Sequence, residues 1–508
     1  MDPRFHTQAG IYEVLEQADA VPGVFDVAIG EWLAWPAIKV LIYARLFNAL
    51  DDAPMVMPFA KRVFHGASLG SRLPLTWLRL RSALAALPPR SRRPRVAWLS
   101  GSYARRGADG VTRDALFGEL PAELAPHAEQ VWLQAPLLTH AADGVHAEGV
   151  YEIATDWANQ LTALQRFRPA IRSVADALAE KLTAITADAG GLSWQRVCLD
   201  ALSTFEARRI AWTKVFERLH PDVVIMTNAP YLSGEVAAAK ACGAVVAEFQ
   251  HGLFGPRCPE YGWPGVLVSK RARMPVADKL FVFGDLFRGA AVTNGFWRDE
   301  DVRAIGSAAI ERTRGVARPS SRQPTPRLVF LTQPTTRHEA IAFWSGVLSG
   351  VETGSFPAIS LTIKVHPSER DRSGDYAALA SAYASHCRIA APDEDAIQVM
   401  LDHDVVVGYT SYGLIEAVGL GRTAVSISGQ QTPGGVFALC PIPGASTAIP
   451  TVRSPAELAA LVAQPPSTLA SAALGFFAAQ PPDTLLQTVL DLLGPSGRPV
   501  PAATPTCP

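Results

Sequence analysis

Cysteine is scarce in this chain of 508 residues, and what there is forms no pattern. Cys198, Cys242, Cys258, Cys387, Cys440 and Cys507 are scattered and make no CxxC pair. That spacing argues against a structural zinc and for reduced thiols. Acidic metal-binding patterns are missing too. No Asp-x-Asp falls at a strand end; Asp402 and Asp404 flank His403 at the start of one. No metal and no other cofactor is therefore expected. There is no G-x-G-x-x-G and no Walker A sequence, which removes the two commonest phosphate-binding signatures. No uncharged apolar run reaches the length of about 18 residues that suggests a membrane span. Met1-Asp2-Pro3-Arg4 leads into polar sequence, so no secretory leader is expected and a cytoplasmic location is. Charge of one sign is lacking overall: the net charge is −1, which gives no general case for nucleic acid.

What is present is apolar and patterned. Hydrophobic residues make up 48% and charged residues 18%, as in a globular protein. The length suits two domains of roughly 200 residues each. Residues 1–94 read as a helical, basic segment. Trp32, Trp35, Ile38, Leu41, Ile42 and Leu46 fall near helical spacing. From Ala53 to Arg95 there are nine Lys or Arg and no acid, mixed with Met55, Phe59, Phe64, Trp77 and leucines. Such a mixture suits acceptor contact or an anionic membrane surface, here the cytoplasmic face of an inner membrane.

From residue 95 onward, short apolar strands alternate with helical stretches. Residues 95–314 read as one Rossmann-like domain, 315–326 as a Pro/Ser/Arg-rich linker, 327–493 as a second Rossmann-like domain, and 494–508 as a disordered tail. Strand, helix, strand at this spacing predicts parallel sheets. Parallel sheets place their chemistry beyond the carboxyl ends of strands.

Those ends direct attention to particular residues. The run Ala244–Ala247 stops at Glu248-Phe249-Gln250-His251-Gly252. A neutral imidazole can take a proton from a hydroxyl, so His251 and Glu248 are the catalytic candidates. The loop beyond it is rich in Pro, Gly and aromatics, and Gln250, Tyr261 and Trp263 are candidate acceptor contacts. In the second half, Thr332 and Gln333 end one strand, and Lys364-Val365-His366-Pro367 ends another. Alternation puts Lys364 and His366 on one face, where both could meet a phosphate. Gly408-Tyr409-Thr410-Ser411 turns a strand into a helix whose free N–H groups suit an anion. Glu416, one turn on, could accept from ribose hydroxyls.

The order of these motifs resembles a known group of enzymes. Lys364-Val365-His366-Pro367 resembles the HP motif of bacterial sialyl-, polysialyl- and Kdo transferases, and Tyr409-Thr410-Ser411 their paired-hydroxyl motif. Glu248 to Gly252, Tyr261, Leu280 to Asp285 and Ile305-Gly306-Ser307 are similar to capsule and surface-carbohydrate biosynthesis proteins. Teichoic acid glycerophosphotransferases are a more distant likeness. The resemblance covers about residues 220–430. It departs from the pattern in lacking an acidic Asp/Glu-Gly motif and in carrying Tyr412 where a second serine is usual.

The resemblance implies a GT-B-like α/β fold, two Rossmann-type domains facing across a cleft with an extra N-terminal segment. It implies that His366, Thr410 and Ser411, with Pro367 beside them, hold the donor's phosphate and that His251 is the base. The expected activity is metal-independent transfer of a sugar from a nucleotide donor to a cell-surface polysaccharide or lipid-linked glycan. A CMP-sugar is the favoured donor and UDP or GDP the alternatives. Rival readings are a glycerophosphotransferase, a nucleotide-sugar 2-epimerase and a non-catalytic carbohydrate-binding scaffold.

Overall fold

The computed structural model describes residues 2–50, 73–87, 89–90, 92–100, 104–106, 112–114, 116–134, 145–146, 149–311, 313, 325–367, 369, 373–439, 441–442, 445, 447–463, 475–478 and 482–494. Two all-parallel sheets organise them. The first contains β1 (Arg95–Ser100), β2 (Glu129–Gln134), β3 (Val145–His146), β4 (Val223–Thr227), β5 (Val245–Phe249), β6 (Lys279–Val282) and β7 (Val302–Ala304), in the order β3-β2-β1-β4-β5-β6-β7. The second contains β8 (Arg327–Leu331), β9 (Ser360–Lys364), β10 (Cys387–Ile389), β11 (Val405–Gly408), β12 (Thr423–Ile427) and β13 (Thr451–Val452), in the order β10-β9-β8-β11-β12-β13. Counted from its own first strand, each sheet runs third, second, first, fourth, fifth, sixth. This is the doubly wound Rossmann order, and its direction reverses between the first and fourth strands. The chain is thus an α/β protein of two Rossmann-like domains.

Central strands such as β4, Val-Val-Ile-Met-Thr, are buried along their whole length. A parallel sheet covered on both faces selects such continuous apolar runs. One device recurs where strands begin. Asp222, Asp278 and Asp404 each precede a strand, and each carboxylate accepts the backbone N–H of a neighbouring strand. The donors are Arg95 N at 2.8 Å, Val246 N at 2.9 Å and Arg327 N at 2.8 Å. These acids tie neighbouring strands together at the amino edge of the sheets.

The N-terminal helices pack onto the first domain. Helix α1 (Gln8–Asp19) is capped by the Thr7 hydroxyl, which accepts from Gly10 N at 3.1 Å. Helix α2 (Ala34–Asn48) is buried nearly all round. Its Ile38 and Trp35 share one core with Trp194, Leu202 and Phe205 of the long helix α3 (Trp194–Leu219). The Ser233 hydroxyl donates to the Ala37 carbonyl at 2.8 Å, tying α2 to the following helix. Of the basic stretch, 53–72 lies outside the described residues. Leu73–Ala86 is a helix that buries Leu80 and Leu84 and exposes Leu75 and Leu78. Among the described residues no helix is long and apolar enough to cross a membrane.

The C-terminal boundary needs correction. Residues 475–493 do not stay with the second sheet. Leu286 N–H donates to the Gly475 carbonyl at 3.0 Å, and Ala478 N–H to that of Phe283 at 2.8 Å. Gly284 permits this approach: a Cβ there would collide with the backbone of Gly475 and Phe476. Helix α4 (Pro482–Leu493) then buries Val489 and Leu493 against Trp98, Phe117 and Trp132 of the first domain. Each such side chain stabilises the return by about 1.5–3 kcal/mol. The linker stretch 314–324 and the tail 495–508 lie outside the described residues. Cys258 is disulfide-bonded, against the expectation of reduced thiols throughout, whereas Cys198, Cys242 and Cys387 are free.

Candidate functional site

The reversal point of the second sheet lies between β8 and β11. Two of the singled-out residues meet there. The Gln333 side-chain Oε1 accepts from Thr410 N at 2.6 Å, and its Nε2 donates to Thr410 Oγ1 at 2.9 Å. This clamp joins the second residue beyond each of the two strands and satisfies a backbone N–H that the sheet no longer serves. Helix α5 (Arg337–Thr353) starts just beyond Gln333, after the turn Pro334–Thr336. The N-terminal N–H groups of a helix have no intrahelical partner, which favours an anion at such an edge.

Gln333, Pro334, Thr335, Thr410, Tyr412 and Val436 form one wall of a cavity of about 200 Å³. The facing wall comes from the first domain: Gln8 and Tyr12 of α1, Tyr43 and Phe47 of α2, and Tyr231, Leu253 and Glu260. The cavity is therefore a cleft between the two carboxyl edges. Tyr412 also joins the domains, its ring stacked on Phe283 with centroids 5.1 Å apart.

Not every residue marked in the sequence reaches this cleft. Thr332 is buried; its hydroxyl donates to Glu369 and accepts from His366 N at 2.8 Å. Thr332 thus anchors the turn that carries His366 and Pro367. The His366 ring lies at the protein edge, and the protein around it lowers its pKa by desolvation. Lys364 does not share a phosphate-facing surface with His366. Its ammonium donates to the carbonyls of Ala391, at 3.0 Å, and Glu394, at 2.5 Å, and so braces the loop after β10. The Ser411 hydroxyl accepts from Gly413 N at 3.2 Å in the turn that leads into the short helix Gly413–Gly419, in which Glu416 is buried.

The first-domain candidates are likewise redistributed. Glu248 is buried, accepts the Tyr261 hydroxyl at 2.6 Å and Ala229 N at 3.2 Å, and lies outside the cleft lining. Burial pushes its carboxyl up to about 8, against the opposing pull of those two hydrogen bonds. His251, also outside the lining, is lowered to about 4 by desolvation and is neutral at pH 7. The Gln250 side chain bridges two strand ends: it accepts from Phe283 N at 2.9 Å and donates to the Gly252 carbonyl at 2.8 Å.

Tyr261 and Trp263 were expected over an acceptor. Both are buried instead. The Lys39 ammonium sits 4.4 Å from the Trp263 ring centroid and pairs with Asp19 at 2.6 Å, so this ring face is already taken. Gly262 turns the loop inward; a Cβ there would meet the carbonyls of Pro256 and Cys258. Gln250, Tyr261 and Trp263 thus brace the framework, and none of them lines the interdomain cleft.

Sequence reading missed Gln8, Tyr12, Tyr43, Tyr231 and Glu260. Tyr231 and Glu260 were within reach of it, because one follows the end of β4 and the other sits in the loop marked as functional. Tyr12 and Tyr43 carry no such signal, being aromatic residues at helical spacing, the usual mark of a core. Among the described residues no group of three or more His, Cys, Asp or Glu is placed to hold a metal ion.

No protein-family model matches the chain. No curated protein matches it. Solved structures give weak likenesses. A UDP-GlcNAc 2-epimerase from Neisseria meningitidis bound to UDP-GlcNAc is 12% identical, with 78% of this chain and 99% of that one covered and a TM-score of 0.45. MnaA of S. aureus with UDP is 10% identical over 79% and 96%, TM-score 0.45. MurG of Acinetobacter baumannii is 13% identical over 78% and 98%, TM-score 0.42. The site rests on its own geometry.

Proposed function

We propose that the chain is a nucleotide-sugar transferase whose donor lies along the carboxyl edge of the second sheet. The observation that carries this reading is the Gln333–Thr410 clamp, set at the reversal point of a Rossmann-order sheet and on the wall of an interdomain cleft. Open α/β sheets bind ligands at that point. The start of α5 favours a phosphate there, and Thr410 can donate or accept once the clamp opens. His366 and Ser411 flank the clamp and would meet the outer phosphate oxygens or the sugar. The motif resemblance favours a CMP-sugar, with UDP- and GDP-sugars as alternatives, and a glycan hydroxyl as acceptor. The facing wall would then receive the acceptor.

A thermal-shift panel of CMP, CDP, UDP and GDP tests the donor site. At least one should raise Tm, by an amount that grows with concentration. A flat response to all four removes the donor-site assignment. Product analysis with the activated sugar alone separates transfer from epimerisation: a transferase leaves the sugar unchanged until an acceptor is added.

A further inference from the structure

The first-domain wall of the cleft has its own chemistry. Gln8, Tyr12, Tyr43, Tyr231 and Glu260 converge there from two α-helices, a 3-10 turn and a loop. Tyr231 donates its hydroxyl to Glu260 Oε1 at 2.6 Å. The other carboxyl oxygen, Oε2, is buried and has no hydrogen-bond partner among the described residues. A buried carboxyl oxygen left without a partner costs roughly 1–3 kcal/mol, so a ligand hydroxyl donated to it would be favoured. Gln8 Nε2 donates to the Tyr43 hydroxyl at 3.1 Å, and the Tyr12 and Tyr43 rings meet edge-on at 5.5 Å. No Lys, Arg or His is among the described residues of the lining. A wall of phenols, an amide and one acid repels an anion and matches a neutral, hydroxyl-rich molecule. Phenols and carboxyls can both accept from sugar hydroxyls, and aromatic faces suit a sugar ring.

We propose that Glu260 is the catalytic base and that Gln8, Tyr12, Tyr43 and Tyr231 hold the sugar hydroxyl it deprotonates. This rests on the reading that a nucleotide-sugar occupies the opposite wall. In the step, the acceptor O–H proton passes to Glu260 Oε2 and the freed oxygen bonds to the anomeric carbon of the donor sugar. The bond from that carbon to the phosphate oxygen breaks, and its electron pair leaves with the nucleotide. His251 and Glu248, outside the cleft lining, take no part.

The surroundings of Glu260 set the pH at which it acts. Burial raises its pKa, while the Tyr231 hydroxyl, its own backbone N–H and the Lys39 ammonium lower it. Tyr12 and Tyr43 face it as neutral phenols, with their own pKa values raised by burial, and Glu248 is a second buried acid nearby. Only the ionised form is a base, so kcat should climb with pH above the ordinary glutamate range.

The test compares wild type with Glu260→Gln, Glu260→Asp and Tyr231→Phe. Nucleotide release from CMP-, UDP- and GDP-sugars is followed with a mixture of free mono- and disaccharides as acceptors, and nucleotide affinity is measured separately by calorimetry. Glu260→Gln should lower kcat at least 100-fold and erase the rising pH limb, with nucleotide Kd within twofold of wild type. Glu260→Asp should restore part of the rate and the limb. Tyr231→Phe should cost about tenfold. Wild-type release by Glu260→Gln overturns the assignment, as does loss of its nucleotide binding, which would move Glu260 to the donor side. A wild type that binds nucleotide but releases none from any sugar also overturns it. A wild type that binds no nucleotide instead contradicts the underlying donor-site reading.

Discussion

The carboxyl edges of the two sheets share a strand order and differ in chemistry. The first edge carries buried titratable groups, Glu248, His251 and Glu260, among tyrosines. The second presents an amide, a hydroxyl and a helix start at Gln333, Thr410 and α5, with His366 desolvated at its margin; of its buried acids, Glu369 is engaged by Thr332 and Tyr376 and Glu416 lies within a helix. The cause lies in what covers each edge. Helices α1 and α2 are laid over the first and take its ionisable groups out of water. Desolvation then raises the acids and lowers the imidazole. The same scaffold thus separates groups suited to moving protons from groups suited to holding a phosphate.

The largest break in this symmetry should be in stability against pH. Glu248, raised to about 8, stays neutral in the folded chain while the unfolded chain ionises it near 4.5. Its contribution is full below 4.5 and is lost as pH rises to about 8. Glu248→Gln should therefore gain on wild type across that window, by a few kcal/mol at about 1.4 per pKa unit. His251, lowered to about 4 from 6.5, behaves in the opposite sense. Its contribution is full above 6.5 and is lost as pH falls to about 4, so acid should cost wild type about 3 kcal/mol relative to His251→Gln. Urea unfolding at pH 4, 6.5 and 8.5 reads both. Gaps that stay constant would mean that the first edge is not desolvated as described.

A smaller effect tests how the edges are held together. Tyr412→Ala removes the ring stacked on Phe283 and should cost about 1–3 kcal/mol by chemical unfolding. Unchanged stability would mean the stack does not couple the domains. Smaller still is Lys364→Met, which frees two loop carbonyls and should cost about 1 kcal/mol. Nucleotide affinity should not change; a tenfold loss would return Lys364 to the phosphate.

Much of the architecture was legible because parallel strands announce themselves. Val223–Thr227, Val245–Phe249, Arg327–Leu331 and Val405–Gly408 are short apolar runs ending in polar residues, and burial on both faces dictates that composition. Gln333 and Thr410 were found by the same rule. Long-range packing was not legible. That α4 returns to the first sheet depends on Gly284 admitting the backbone of 475–476, a contact across nearly two hundred residues. Trp263 looked like an open platform because its cover, Lys39, lies in a helix far upstream. Tyr12 and Tyr43 read as core, and only the cleft shows that one side of them is free. Lys364 and His366 alternate correctly along the chain, but Ala391 and Glu394 capture the lysine from a neighbouring connection that no periodicity predicts.

The central claim is that a nucleotide binds at the Gln333–Thr410 clamp. Calorimetric titration of CMP, CDP and UDP into wild type and Thr410→Val tests it most directly. The account predicts that at least one nucleotide binds the wild-type chain and that Thr410→Val weakens it tenfold or more. Binding of none of the three, or equal binding to both proteins, would contradict it.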